Sequence, residues 1–141
     1  MANVFDVAEY ILKKMGPMTT MKLQKLVYYS QAWNIAWTDD VLFPECIEAW
    51  ADGPVVPELW KKHRGAFRVS TVRGNDQALS QGEKETVDKV LEFYGGRSPQ
   101  WLSDLTHMED PWLNARRGTM PGDRCTNEIS PKALLDYYSN L

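Results

Sequence analysis

The 141-residue chain has little of what most small-site chemistry requires. Its cysteines are Cys46 and Cys125 and its histidines His63 and His107. No C-x-x-C or H-x-x-x-H pair offers the local chelate from which zinc sites are built, so no metal is expected. Two distant cysteines do not make a disulfide framework, and both thiols are expected to be reduced. No nucleophile turn surrounds a serine or cysteine. A hydrolase would have to bring His107 to a cysteine or an acid across the fold. The glycines at 95–96 and from 118 to 122 match neither the P-loop nor the dinucleotide pattern, so no nucleotide cofactor is expected. These absences argue against an enzyme.

Long apolar runs are missing too. No window approaches the ~20 residues that span a bilayer, and Met1 to Asp6 shows neither a basic nor an apolar leader region. The expectation is a cytoplasmic protein with no membrane partner. Positive charge is also short: sixteen Lys and Arg against nineteen Asp and Glu leave a net charge of -3. A global field attracting nucleic acid is thereby excluded. One local cluster, Lys61-Lys62-His63-Arg64 followed by Arg68 and Arg73, has two readings. It is a phosphate-contacting or acid-docking patch, or a solvated helix end whose cations offset the C-terminal dipole. The second is the more frequent origin of such clusters.

What is present is ample apolar material: 43% hydrophobic residues, with six Trp, six Tyr and four Phe. This suffices for one core in one domain covering residues 1–141. Helical periodicity and caps predict a mainly α fold. A helix from Val4 to about Lys14, capped by Asn3, carries Val4, Ala8, Ile11, Leu12 and Met15 on one face. After Gly16-Pro17, a helix over about 20–37 is apolar around most of its circumference, with Leu23, Leu26, Val27, Ser30, Trp33 and Trp37 as its stripe and Gln24 and Gln31 as a narrow polar strip. It is expected to be the central element. Further helices are predicted after Gly53-Pro54 and Pro57, from the Ser80 to Glu83 capping box to Gly95-Gly96, after Ser98-Pro99 as far as the Pro111 break, and after Ser130-Pro131. The last should bury Leu134, Leu135, Tyr138 and Leu141. A small β element is predicted from 47–50 pairing with 67–72.

Core packing accounts for most of the aromatics. Six tryptophans still exceed what a core of this size requires, and at least one aromatic should be exposed for contact. Three segments stand out in order. They are Lys22-Leu23-Gln24-Lys25-Leu26-Val27-Tyr28-Tyr29-Ser30-Gln31-Ala32-Trp33, then Ile47 to Trp60 with Trp50-Ala51-Asp52-Gly53-Pro54-Val55-Val56-Pro57 at its centre, and Leu102-Ser103-Asp104-Leu105-Thr106-His107 with Pro111-Trp112. Together they resemble the signature of the Panacea domain, the SocA-like or phage-associated GepA-like family, from about residue 5 to the C-terminus.

The resemblance implies a mainly helical antitoxin of a bacterial or phage-borne toxin–antitoxin pair. Its partner would be a cognate protein toxin, neutralised by direct contact or handed by a proteolytic adaptor to a protease such as ClpXP. Homo-oligomerisation is left open. In this chain Leu23, Leu26, Trp33, Trp50, Thr106, His107, Pro111 and Trp112 read as signature residues that build the domain. Partner contacts are sought in the strip Gln24, Tyr28 and Gln31, in the turn Asp52, Gly53, Pro54, Val55 and Pro57, and at Trp60 with Lys61. The alternative is a nucleic-acid-binding regulator using Lys61 to Arg73.

Overall fold

A computed structural model describes residues 1–141. The α1 helix (Val4–Met15) opens on a capping box in which Asn3 and Asp6 exchange side-chain and backbone hydrogen bonds. A two-residue strand, β1 (Met18–Thr19), leads into α2 (Thr20–Thr38), with Thr19 as its cap. Then follow β2 (Ile47–Trp50), β3 (Gly53–Val55), α3 (Pro57–His63) and β4 (Arg68–Val69). The second half holds α4 (Gln81–Tyr94), α5 (Pro99–His107), α6 (Asp110–Ala115), β5 (Glu128–Ile129) and α7 (Pro131–Tyr138). Serines 80, 98 and 130 cap α4, α5 and α7 as their sequence contexts predict.

Central placement of α2 follows from its composition. It packs against α1, α4, α5 and α7, and every residue from Leu23 to Ala32 is buried. One cluster of 32 buried apolar residues runs through the molecule, so there is a single core. A polar knot lies inside it. Tyr29 and Tyr138 both donate to Glu109 Oε1, at 2.7 and 2.8 Å, and Tyr28 donates to the Tyr138 hydroxyl at 2.9 Å. Burial raises the Glu109 carboxyl above the ordinary carboxylate range, and the two phenol donors partly offset this. The knot ties α2 to the start of α6 and to α7.

Four expectations are corrected. Strand β2 does not pair with 67–72; its antiparallel neighbours are β3, across the tight turn at Ala51-Asp52, and β5 from the far end of the chain. Strand β4 pairs with β1 instead, Met18 opposite Val69. Pro111 does not merely break the pattern: α5 already ends at His107, and a further helix, α6, takes Pro111 in its first turn, where a missing amide costs nothing. Finally, Met15, Trp37 and Leu141 are exposed, each at or beyond a helix end where the packed face runs out. No helix is long and apolar enough to cross a membrane.

Candidate functional site

The three sequence segments meet around one turn. Four successive carbonyls, Ala49 to Asp52, each face a side chain from α5 or from in and after α6. Arg116 donates to Ala49 at 2.9 Å, Trp112 to Trp50 at 2.8 Å and Ser103 to Asp52 at 3.0 Å, while His107 Nε2 lies 3.1 Å from the Ala51 oxygen. From the other side α2 holds the continuation of the strand. Lys25 Nζ donates to the Pro54 carbonyl at 3.3 Å, and Gln24 accepts from Val56 N at 2.9 Å while donating to Val56 O. The second nitrogen hydrogen of Gln24 is directed at His63 Nε2, 2.9 Å away, so one amide clamps both ends of α3.

This strapping explains the residue types. Gly53 sits at φ +120°, and a Cβ there would come within 2.6 Å of Lys25 Cε, so only glycine fits between the turn and α2. Thr106 bonds the Ser103 carbonyl within α5, and His107 Nδ1 meets that same oxygen. Both His107 ring nitrogens thus face backbone carbonyl oxygens, those of Ser103 and Ala51. Trp112 packs its indole on the His107 ring, centroids 4.1 Å apart, and under the Arg116 guanidinium. Leu23, Leu26, Thr106, Pro111 and Trp112 are buried, and Trp33 and Trp50 are half-buried.

In front of the turn lies an open cleft of about 680 Å³. Trp50 and Trp60 form one wall, edge to face at 5.5 Å, with the Arg64 guanidinium 5.9 Å above the Trp60 ring. Thr20 and Met21 at the start of α2 form another, and Gly122, Arg124, Cys125 and Thr126 close the far side. Lys61 on the rim pairs with Glu58 at 3.3 Å, both largely solvated. At the back, Lys25 lines the cleft while only 2% exposed. Burial lowers its ammonium to about 8 from the ordinary 10.5, with Asp52 opposing the shift. Burial likewise lowers His63, which accepts from Gln24 as a neutral ring.

Of the residues expected to touch a partner, Asp52, Val55, Pro57, Trp60, Lys61 and Gln24 line this cleft. Asp52, Trp60 and Lys61 are exposed, and Gly53 and Pro54 lie buried behind them. Gln24, Tyr28 and Gln31 do not form a surface strip. All three are buried: Gln24 clamps α3, Tyr28 belongs to the tyrosine knot, and Gln31 bonds Leu42 N and Phe43 O to pin the loop after α2. Helical spacing assigns polar residues outward, and here non-local backbone groups and side chains satisfy them inside. The basic cluster also divides. Lys61 and Arg64 reach the cleft, Lys62 lies over Phe5, His63 is interior and Arg68 bonds the Pro17 carbonyl. Exposed tryptophans do occur, at Trp37, Trp60 and Trp101.

Two contributors were invisible in sequence. Arg124 and Cys125 arrive from a loop with no periodic pattern. Lys25 does carry a signal: a lysine amid Leu23, Leu26, Val27, Tyr28 and Tyr29 on a helix packed on every side has nowhere exposed to point. His63 and Cys125 share the cleft but are not hydrogen-bonded to one another.

A family model described as antitoxin SocA-like, Panacea domain, matches residues 23–113. No curated protein and no solved structure matches the chain.

Proposed function

This chain belongs to the SocA-like antitoxin family with its Panacea domain, and we propose that it neutralises a cognate protein toxin by direct, non-catalytic binding at the Trp50–Trp60 cleft. The observation that carries this reading is the overlap between the family match and the strapping of one turn. The matched span contains Gln24, Lys25, Ser103, His107 and Trp112, whose bonds fix the 49–56 segment and aim Trp60 and Lys61 outward. A rigid concave surface with an exposed tryptophan is the kind of feature that concentrates binding energy, because little side-chain or loop entropy is lost on docking.

Direct masking and delivery to a protease share this docking step. The half-life of the toxin in cells with and without the chain separates them, since a mask lengthens or preserves it and an adaptor shortens it. The test of docking itself is co-expression with the product of the neighbouring toxic gene. The expected result is restored growth and a co-purifying complex, both lost in Trp60→Ala/Lys61→Glu. No rescue and no complex with the wild-type chain would end the antitoxin-by-contact reading.

A further inference from the structure

We propose that the cleft is built around a carboxylate-binding subsite at Lys25, which takes an aspartate or glutamate side chain presented by the toxin. The inference rests on the docking reading and specifies its chemistry.

Lys25 is the anomalous group of the site. An ammonium has three hydrogens to donate, and this one, 2% exposed, makes a single hydrogen bond, to the Pro54 carbonyl at 3.3 Å. No carboxylate of the chain lies within ion-pair distance of it, since the four ion pairs all involve other, surface lysines. Buried charges ordinarily have a counter-charge or a full set of acceptors. Lys25 has one acceptor and only the more distant Asp52 as counter-charge, yet it lines an open cleft where a ligand carboxylate would supply a direct pair.

The surroundings favour the same ligand. Lys61, Arg64 and Arg124 line the cleft with Lys25, against Asp52 as the one carboxylate in its lining. The site is thus cationic on a protein whose net charge is -3. Trp50, Trp60 and Met21 provide apolar wall beside it, which suits an acidic residue flanked by aliphatic ones. A chain terminus is the less suitable source, because terminal carboxylates are usually held by nests of backbone N–H groups and here the donors are side chains. A carboxylate at Lys25 would add a charge-assisted pair to one 3.3 Å contact, in a shielded place where such bonds are strongest.

The test uses the full chain, labelled at lysine for carbon and nitrogen NMR, and two blocked peptides that carry one glutamate or one glutamine between leucines. The glutamate peptide should bind roughly tenfold or more tightly than the glutamine peptide, as one charge-assisted bond implies. It should shift the Lys25 Cε and Nζ resonances and raise their titration midpoint. Below pH 8 affinity should be level, and above it affinity should fall as the free ammonium loses its proton. Lys25→Met should erase the preference between peptides; Arg124→Glu, an exposed change that leaves the core intact, should weaken the glutamate peptide selectively. Equal binding of both peptides, or a preference that survives in Lys25→Met, would overturn the subsite. Toxin rescue in cells reports separately: intact rescue with no peptide preference removes this inference alone, whereas absent rescue removes the docking reading beneath it.

Discussion

Lys25 and Gly53 occupy the same few ångströms and have opposite requirements. The lysine is protonated at neutral pH in a place that disfavours charge. Its folded pKa, about 8, lies below the ordinary 10.5, so between these values the unfolded chain binds more protons and stability rises with pH. Replacing Lys25 by methionine, which fills similar space without charge, should therefore stabilise the fold at pH 7 by about 2 kcal/mol. That advantage should shrink toward pH 10, as urea unfolding of both proteins at the two pH values would reveal. An advantage that stays constant with pH would contradict the burial account. Gly53→Ala should do the reverse: a side chain at φ +120° that also displaces Lys25 should cost about 2 kcal/mol or more in the same measurement. The caps at Asn3, Ser80, Ser98 and Ser130 were legible in the sequence because each is settled within four residues. The burial of Gln24, Tyr28 and Gln31 was not, because their partners lie eleven to over a hundred residues away.

Elements follow the same division. The helices show a period and two ends, and α1, α2, α4, α5 and α7 fall where pattern and caps place them. Strand β2 has period-2 alternation, but its partners could not be chosen by pattern, since β5 is two residues long and β3 runs through a proline. The positive φ at Gly53 turns the chain directly back on β2, and β5 adds to the other edge, with Ala49 N bonding Asn127 O at 2.9 Å. What holds the loop before β5 is Arg116, which is buried and donates to Ala49, Met120 and Asp123 carbonyls without an ion-pair partner. One guanidinium thus joins α6, β2 and the far wall of the cleft. Arg116→Ala should cost about 3 kcal/mol by stranding three carbonyls and opening a void. It should also free the 117–126 segment, so trypsin should cut after Arg117 and Arg124 faster than in wild type. Unchanged cleavage rates would mean that another contact fixes the loop.

At the scale of the whole molecule, one core is built on α2, and α2, α5 and the α6 region contribute straps to a single turn. The family match and the sequence motifs contain all of those straps but Arg116, and the surface they support is the cleft. The motif residues themselves are mostly buried, so under the proposed docking a partner would meet what they position: Trp60, Lys61, Asp52 and the rim arginines. Alanine at a central exposed tryptophan of a docking site typically removes more than about 1 kcal/mol of binding, and reversing the neighbouring cation adds to that. Loss of the Trp50–Trp60 edge-to-face contact should cost the fold about 1 kcal/mol, so unfolding measured beside binding separates loss of contact from loss of fold.

The decisive measurement is growth of cells expressing the neighbouring toxic gene together with wild-type chain or with Trp60→Ala/Lys61→Glu, both shown by circular dichroism to be folded and present at equal levels. The account predicts rescue by the wild type and none by the double variant. Full rescue by the double variant would contradict the assignment of docking to this cleft.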